Sequence, residues 1–364
     1  MCNLLCCFGF LTLCGCRDRV TRKLVAHIVF MLQVFFPPRQ YYAIEEKNDK
    51  QTMWIIDDHR HKVDPYASPN FKVALFCNCG QCAWVRTRRG TKIATMLLIY
   101  PGSSTCIIFS HGNATDMGCM RDHLLDMSQQ LRVNVFCYDY SGYGLSSGKC
   151  SPANTLADIE AAYGYVLKQH PDLTKNIILY GQSLGSGPTI YLGTQKVVSG
   201  IVIHSGLMSG LRVIRNVENT RWFDIYPNID RVKKVRSPVF VIHGTEDQEI
   251  PIHHGLGISE AAPMPYKPWF VEGAGHNNIE VHWRETYFEK LNDFIRNIEK
   301  GEPASRGSTS TQKPLKSLKD TSVPSSSASS RTPEDAAVVA PSHKSSASQS
   351  SDASDNSPES PLAT

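Results

Sequence analysis

A chain of 364 residues, 41% hydrophobic and 20% charged, is long enough for one large or two ordinary domains with a sizeable core. Its formal net charge of +4 is too small to argue for nucleic-acid binding. Twelve cysteines would suit a disulfide framework in a short chain with a secretory signal, but in a chain of this length, with cysteines such as Cys106 and Cys137 set singly in apolar strands, free thiols are the expectation.

The first sixteen residues, MCNLLCCFGFLTLCGC, hold Cys2, Cys6, Cys7, Cys14 and Cys16 among phenylalanines and leucines. A secretory signal puts positive charge ahead of its apolar stretch, whereas here Arg17, Arg19, Arg22 and Lys23 follow it. Thiols in an apolar segment beside a basic patch suit acylation at an anionic membrane surface. One acyl chain, at about 0.8 kcal/mol per buried CH2, anchors a protein only marginally, so several lipidated cysteines beside basic residues are needed for a stable hold. The apolar run at 24–36 is interrupted by His27 and Gln33 and falls short of the ~20 residues that span a bilayer, which suits an interfacial helix. Residues 1–36 therefore read as a membrane-anchoring head, and 37–82 as a polar lead-in. In CNCGQC, Cys77, Cys79 and Cys82 resemble part of a zinc site, but no second ligand group at suitable spacing completes it; further acylation or plain thiols are the other readings. No metal and no cofactor is expected.

From 83 to 299 the chain alternates short apolar runs with helical periods. TCIIFS, VNVFCYDY, NIILYG, GIVIHS, PVFVIHG and PWFVEG are nearly continuously apolar, as strands covered on both faces of a parallel sheet are. Between them, Met117, Met120, Leu124, Met127 and Leu131 recur at helical spacing. Ser151 and Pro152 read as an N-cap and first turn ahead of Leu156, Ile159, Tyr163 and Val166. A last helix over about 283–299 carries Tyr287, Leu291, Phe294 and Ile298 on one face. The alternation predicts an α/β fold: a doubly wound, mostly parallel sheet with helices on both faces. The tail, 300–364, is Ser-, Pro- and Ala-rich with almost no large apolar residue, and is expected to be disordered. Cysteines set singly in apolar strands, such as Cys106 and Cys137, read as buried free thiols.

Chemistry concentrates at the ends of these strands. Gly181-Gln182-Ser183-Leu184-Gly185 is a G-x-S-x-G between a strand and a helix, the context of a nucleophile elbow. A serine hydroxyl needs a base to take its proton, so a carboxylate and a histidine should follow in that order. Asp247 follows the strand FVIHG, and His276 follows the next strand, ahead of the last helix. Glu246 and Glu249 are rival carboxylates; His243, His253, His254 and His282 are rival bases. Oxyanion donors are expected at the backbone N–H of Leu184 and, from the loop His111-Gly112-Asn113 after an early strand, that of Asn113. Only 207–229 lies where a lid could be, and it is short.

The stretches FSHGNATDMG, YDYSGYGLSSG, ILYGQSLGSGPT, SPVFVIHGTEDQEI and VEGAGHNNIE resemble, in order and spacing, the α/β-hydrolase-domain-containing protein 17 group. The resemblance implies an α/β-hydrolase fold with a small lid or none, and a membrane-associated serine hydrolase that removes palmitoyl groups from protein cysteines. It places Ser183, Asp247 and His276 in the charge-relay roles. It further implies S-palmitoylated membrane proteins as substrates, a lipid-anchored monomer on the cytoplasmic face of plasma or endosomal membranes, and no nucleic-acid partner. The apolar insert at 25–36, the CNCGQC stretch, the long tail and Asn278, where the family usually has Asp, are departures. The competing readings are a lipid or small-ester hydrolase, a peptidase, and a hydrolase-fold scaffold without catalysis.

Overall fold

The computed structural model describes residues 35–40, 42–47, 50–56, 62–63, 81–215 and 217–301. The chain divides into two units, 1–310 and 311–364, and every described residue falls in the first. The cysteines of the head, the basic patch, most of the 24–36 segment, Cys77, Cys79 and the Ser-rich tail lie outside the described residues.

Eight strands form one sheet, in the order β11-β10-β9-β8-β6-β7-β5-β4. They are β4 (Gln81–Arg86), β5 (Lys92–Leu98), β6 (Thr105–Ser110), β7 (Asn134–Tyr138), β8 (Asn176–Gln182), β9 (Gly200–His204), β10 (Val239–Gly244) and β11 (Trp269–Val271). Only β5 runs against its neighbours; every other pairing, from β7 across to β11, is parallel. Three earlier strands, β1 (Tyr42–Lys47), β2 (Lys50–Ile56) and β3 (Lys62–Val63), make a separate antiparallel sheet within the stretch read as a polar lead-in.

Successive side chains of a strand face opposite sides of the sheet, and β6 shows the result directly. Cys106 and Ile108 join one apolar cluster with Ile159 and Ala162 of helix α2 (Pro152–Gln169) and Ile190 of α3 (Ser186–Gln195). Ile107 and Phe109 join the other, with Leu124 and Met127 of α1 (Met117–Leu131) and with Tyr287, Leu291 and Phe294 at the far end of the chain. Both faces are thus covered, which is why these strands read as unbroken apolar runs.

The helix ends follow local chemistry. Asp116 caps α1 by accepting from the N–H of Cys119, and Ser151 caps α2 by accepting from that of Asn154, with Pro152 in the first turn. Four shorter helices follow α3: α4 (Gly210–Ile214), α5 (Asn228–Arg231), α6 (His253–Ala261) and α7 (Ile279–His282). The last, α8 (Arg284–Lys300), ends on Gly301 at φ 66°. Among the described residues no helix is long and apolar enough to cross a membrane. Cys106 and Cys137 are buried free thiols, as their place in apolar strands predicts.

Candidate active site

The carboxyl ends of β8, β10 and β11 carry the three residues singled out in the sequence, because parallel neighbours release their loops at the same edge of the sheet. Ser183 follows β8 in a single 3-10 turn that runs directly into α3. Its φ of 51° lies in the left-handed region, a strained setting for a residue with a side chain. Close backbone approach demands the flanking glycines. A Cβ on Gly185 would fall 2.0 Å from the Ser110 carbonyl oxygen, and one on Gly181 would fall 2.6 Å from that of Gly185. The sharp turn raises the serine hydroxyl above the strand end.

His276 Nε2 lies 2.9 Å from Ser183 Oγ, and its Nδ1 lies 2.7 Å from Asp247 Oδ2. The other carboxylate oxygen of Asp247 accepts backbone N–H groups of Glu249 (2.9 Å) and Ile250 (2.8 Å). Burial alone would raise the Asp247 carboxyl, but hydrogen bonds from His243 and His276, electrostatic attraction to the His276 ring and the Ile250 N–H outweigh it. They hold it well below the usual carboxylate range. An ionised Asp247 facing Nδ1 puts the imidazole proton there and leaves Nε2 free to accept from the serine.

The rivals separate on geometry. Glu249 is mostly exposed and reaches His276 only at Nε2, 3.8 Å away. His243 is fully buried; its Nε2 donates to the Ile250 carbonyl at 2.7 Å and lies 3.3 Å from Asp247, so it braces the carboxylate from behind. His254 accepts from the N–H of Met208 at 3.0 Å and shapes the neighbouring loop. Asn278, the departure from the family's usual Asp, still accepts from the Gly275 N–H at 2.9 Å and so closes the turn that carries His276.

The loop after β6 abuts the elbow. A Cβ on Gly112 would sit 3.8 Å from that of Ser183. The His111 ring, wholly buried, bonds through Nδ1 to the Gly112 carbonyl (2.8 Å), and the Tyr140 hydroxyl donates to the His111 carbonyl (2.6 Å). In the stretch where a lid could lie, the Arg212 guanidinium donates to the Glu218 carbonyl (2.7 Å) and to Thr220 (3.1 Å).

One group of residues escaped the sequence reading. Gln182, just ahead of the nucleophile, donates to Glu280 at 3.2 Å, four residues beyond His276. Glu280 in turn lies 3.9 Å from His204, whose Nδ1 meets the Tyr180 hydroxyl at 2.8 Å. Burial pushes His204 down to about 4, against the opposing pull of Glu280. The cluster ties the serine strand to the helix after His276. Among the described residues no group of three or more His, Cys, Asp or Glu side chains could hold a metal ion.

Comparison with known proteins agrees with this fold. A family model described as "Hydrolase_4: Serine aminopeptidase, S33" matches residues 101–218. Human α/β hydrolase domain-containing protein 17B is 36% identical over 299 residues, which is 81% of this chain and 95% of that protein. The chain belongs to the α/β hydrolase domain-containing protein 17 family. Within that serine hydrolase family, the 17C protein of Xenopus tropicalis is 46% identical over 212 residues, covering 58% of this chain and 68% of the relative. The protein aho-3 of Caenorhabditis elegans is 40% identical over 263 residues, 72% of this chain and 76% of its own length. A Pyrococcus furiosus esterase, Pf2001, superposes with a TM-score of 0.51 at 18% identity, covering 60% of this chain and 92% of that one, and so shares the fold.

Proposed function

We propose that this protein is a membrane-anchored serine hydrolase that removes palmitoyl groups from protein cysteines by way of an acyl-enzyme. The observation that carries the reading is the unbroken line from Ser183 Oγ through the His276 ring to Asp247, at 2.9 and 2.7 Å. In this reading Ser183 attacks the thioester carbonyl as His276 Nε2 takes its proton. The tetrahedral oxyanion is held by the backbone N–H groups of Leu184 and Asn113. Collapse expels the substrate cysteine, protonated by His276, and leaves a palmitoyl ester on Ser183. Water, activated by the same imidazole, then releases palmitate and restores the serine. Asp247 fixes the tautomer of His276 and stabilises the imidazolium at both stages.

Two features support an S-acylated protein as the substrate. The stretch at 207–229, where a lid could lie, is short, as suits a serine that must admit a bulky partner. The cysteines of the head, Cys2, Cys6, Cys7, Cys14 and Cys16, would if acylated hold the enzyme at the cytoplasmic membrane surface where lipidated cysteines lie. The test is acyl exchange on membrane proteins in cells expressing wild type or Ser183→Ala. Faster palmitate turnover with wild type alone supports the reading. Unchanged turnover alongside serine-dependent cleavage of lipid esters would make the protein an ester hydrolase instead.

A further inference from the structure

The chain ahead of the hydrolase body bears directly on the loop that supplies the second oxyanion donor. Phe35 is buried in one of the two core clusters, with its ring edge-on to Tyr226 at 6.5 Å. Seven residues later Tyr42 is completely buried in the other cluster. The Tyr42 hydroxyl donates to Asp139, whose other oxygen accepts the N–H of Met117 at the start of α1 (2.9 Å). Gly144, at φ 48°, makes room for it: a Cβ there would fall 2.8 Å from the Tyr42 ring and hydroxyl. Phe35 and Tyr42 are thus anchored in different core clusters, and residues 35–40 lead off from the first as a strap.

Between those anchors, the backbone N–H of Phe36 donates to Asn113 Oδ1 at 2.9 Å. The Tyr143 hydroxyl donates to the same oxygen at 2.6 Å. Asn113 needs such restraint. The peptide that carries its N–H follows Gly112, the residue with the least backbone preference, and Ala114 beyond it sits at φ 54°. The carbonyl end of that same peptide is held by His111 Nδ1, and in a trans peptide the N–H points the opposite way. Holding Asn113 Oδ1 as well completes a clamp on a donor that would otherwise swing about a glycine.

Resting on the reading of Asn113 as an oxyanion donor, we propose that the strap at Phe35–Phe36 and the Tyr143 hydroxyl are positioning groups for the oxyanion site. They act through the Asn113 side chain and touch no substrate themselves. What reads in sequence as the junction of an anchor and a linker is then part of the catalytic framework. The consequence is kinetic. Loosening the clamp weakens the hold on the transition state and leaves substrate binding alone, because only the oxyanion uses that N–H.

The test uses the full chain, a soluble p-nitrophenyl ester, and a trifluoromethyl ketone as transition-state analogue. Tyr143→Phe removes one hydroxyl and Phe35→Ala frees the strap. Each should lower kcat by about tenfold, a part of the 10²–10³ that a lost oxyanion donor costs, with KM unchanged. The inhibition constant of the ketone should rise by the same factor. In an Asn113→Ala background neither change should have a further effect, since their common target is gone. Full additivity in that cycle, or a fall in melting temperature with kcat per folded molecule unchanged, would overturn the proposal. An active wild type indifferent to Tyr143→Phe overturns the clamp alone. A wild type that neither cleaves the ester nor reacts with a fluorophosphonate overturns the hydrolase reading as well.

Discussion

The substitution Asp247→Asn should leave the site in place and reverse its proton logic. Asp247 Oδ1 accepts two backbone N–H groups, at 2.9 and 2.8 Å, so after the substitution the amide oxygen must stay on that side. The amide NH2 is then forced toward His276 Nδ1, where Oδ2 of the carboxylate stood at 2.7 Å. Facing a donor, Nδ1 becomes an acceptor and the imidazole proton moves to Nε2, 2.9 Å from Ser183 Oγ. The serine proton then has nowhere to go. For a wrong tautomer in a triad of this kind the loss is about 10⁴ in kcat, or about 5 kcal/mol of transition-state stabilisation. The assay is steady-state hydrolysis of a p-nitrophenyl ester, with circular dichroism to establish that the variant is folded. A folded variant that loses less than about tenfold would refute the argument, because the carboxylate would then not be setting the tautomer.

Other changes test the surrounding framework. Gly185→Ala would put a methyl group 2.0 Å from the Ser110 carbonyl oxygen, where only backbone can yield; we expect a loss of about 3 kcal/mol or more by denaturant titration, and of serine labelling. An unchanged midpoint would mean that the elbow does not pack as described. Tyr42→Phe removes the buried hydroxyl bonded to Asp139 and should cost about 1.5 to 3 kcal/mol, with wild-type stability as the contrary result. Burial raises Asp158 to about 7, against the opposing hydrogen bonds from Ser141. Its folded form binds a proton that the unfolded chain has released above about pH 4, so its contribution to stability is lost as pH rises from there toward 7. Asp158→Asn should flatten that slope in thermal melts across the window, and an unchanged slope would remove Asp158 as its source.

Much of this was legible in the sequence because the relevant signals are local. A buried parallel strand is apolar on both faces, so β6, β7, β8, β9 and β10 stand out as short unbroken runs, and each catalytic candidate lies within a few residues of the end of a strand. The elbow glycines carry their own steric signature. Asp247 was legible in the same way, and the turn after β10 gives the physical reason it stands apart from its acidic neighbours: Asp247 faces His276, while Glu249 is mostly exposed. The strap was not legible. The contact of Phe36 with Asn113 spans 77 residues and that of Tyr42 with Asp139 spans 97, and neither leaves a periodicity or a motif. The Gln182–Glu280 tie, across 98 residues, was hidden for the same reason.

The proposed reaction begins with Ser183 taking an acyl group from a cysteine thioester. The most direct measurement is rapid-quench mass spectrometry of the full chain mixed with an S-palmitoylated peptide. A transient palmitoyl ester should appear on the peptide containing Ser183, rising as free thiol appears and absent from Ser183→Ala. An intact thioester and an unmodified Ser183, with a glycerol ester cleaved under the same conditions, would contradict it.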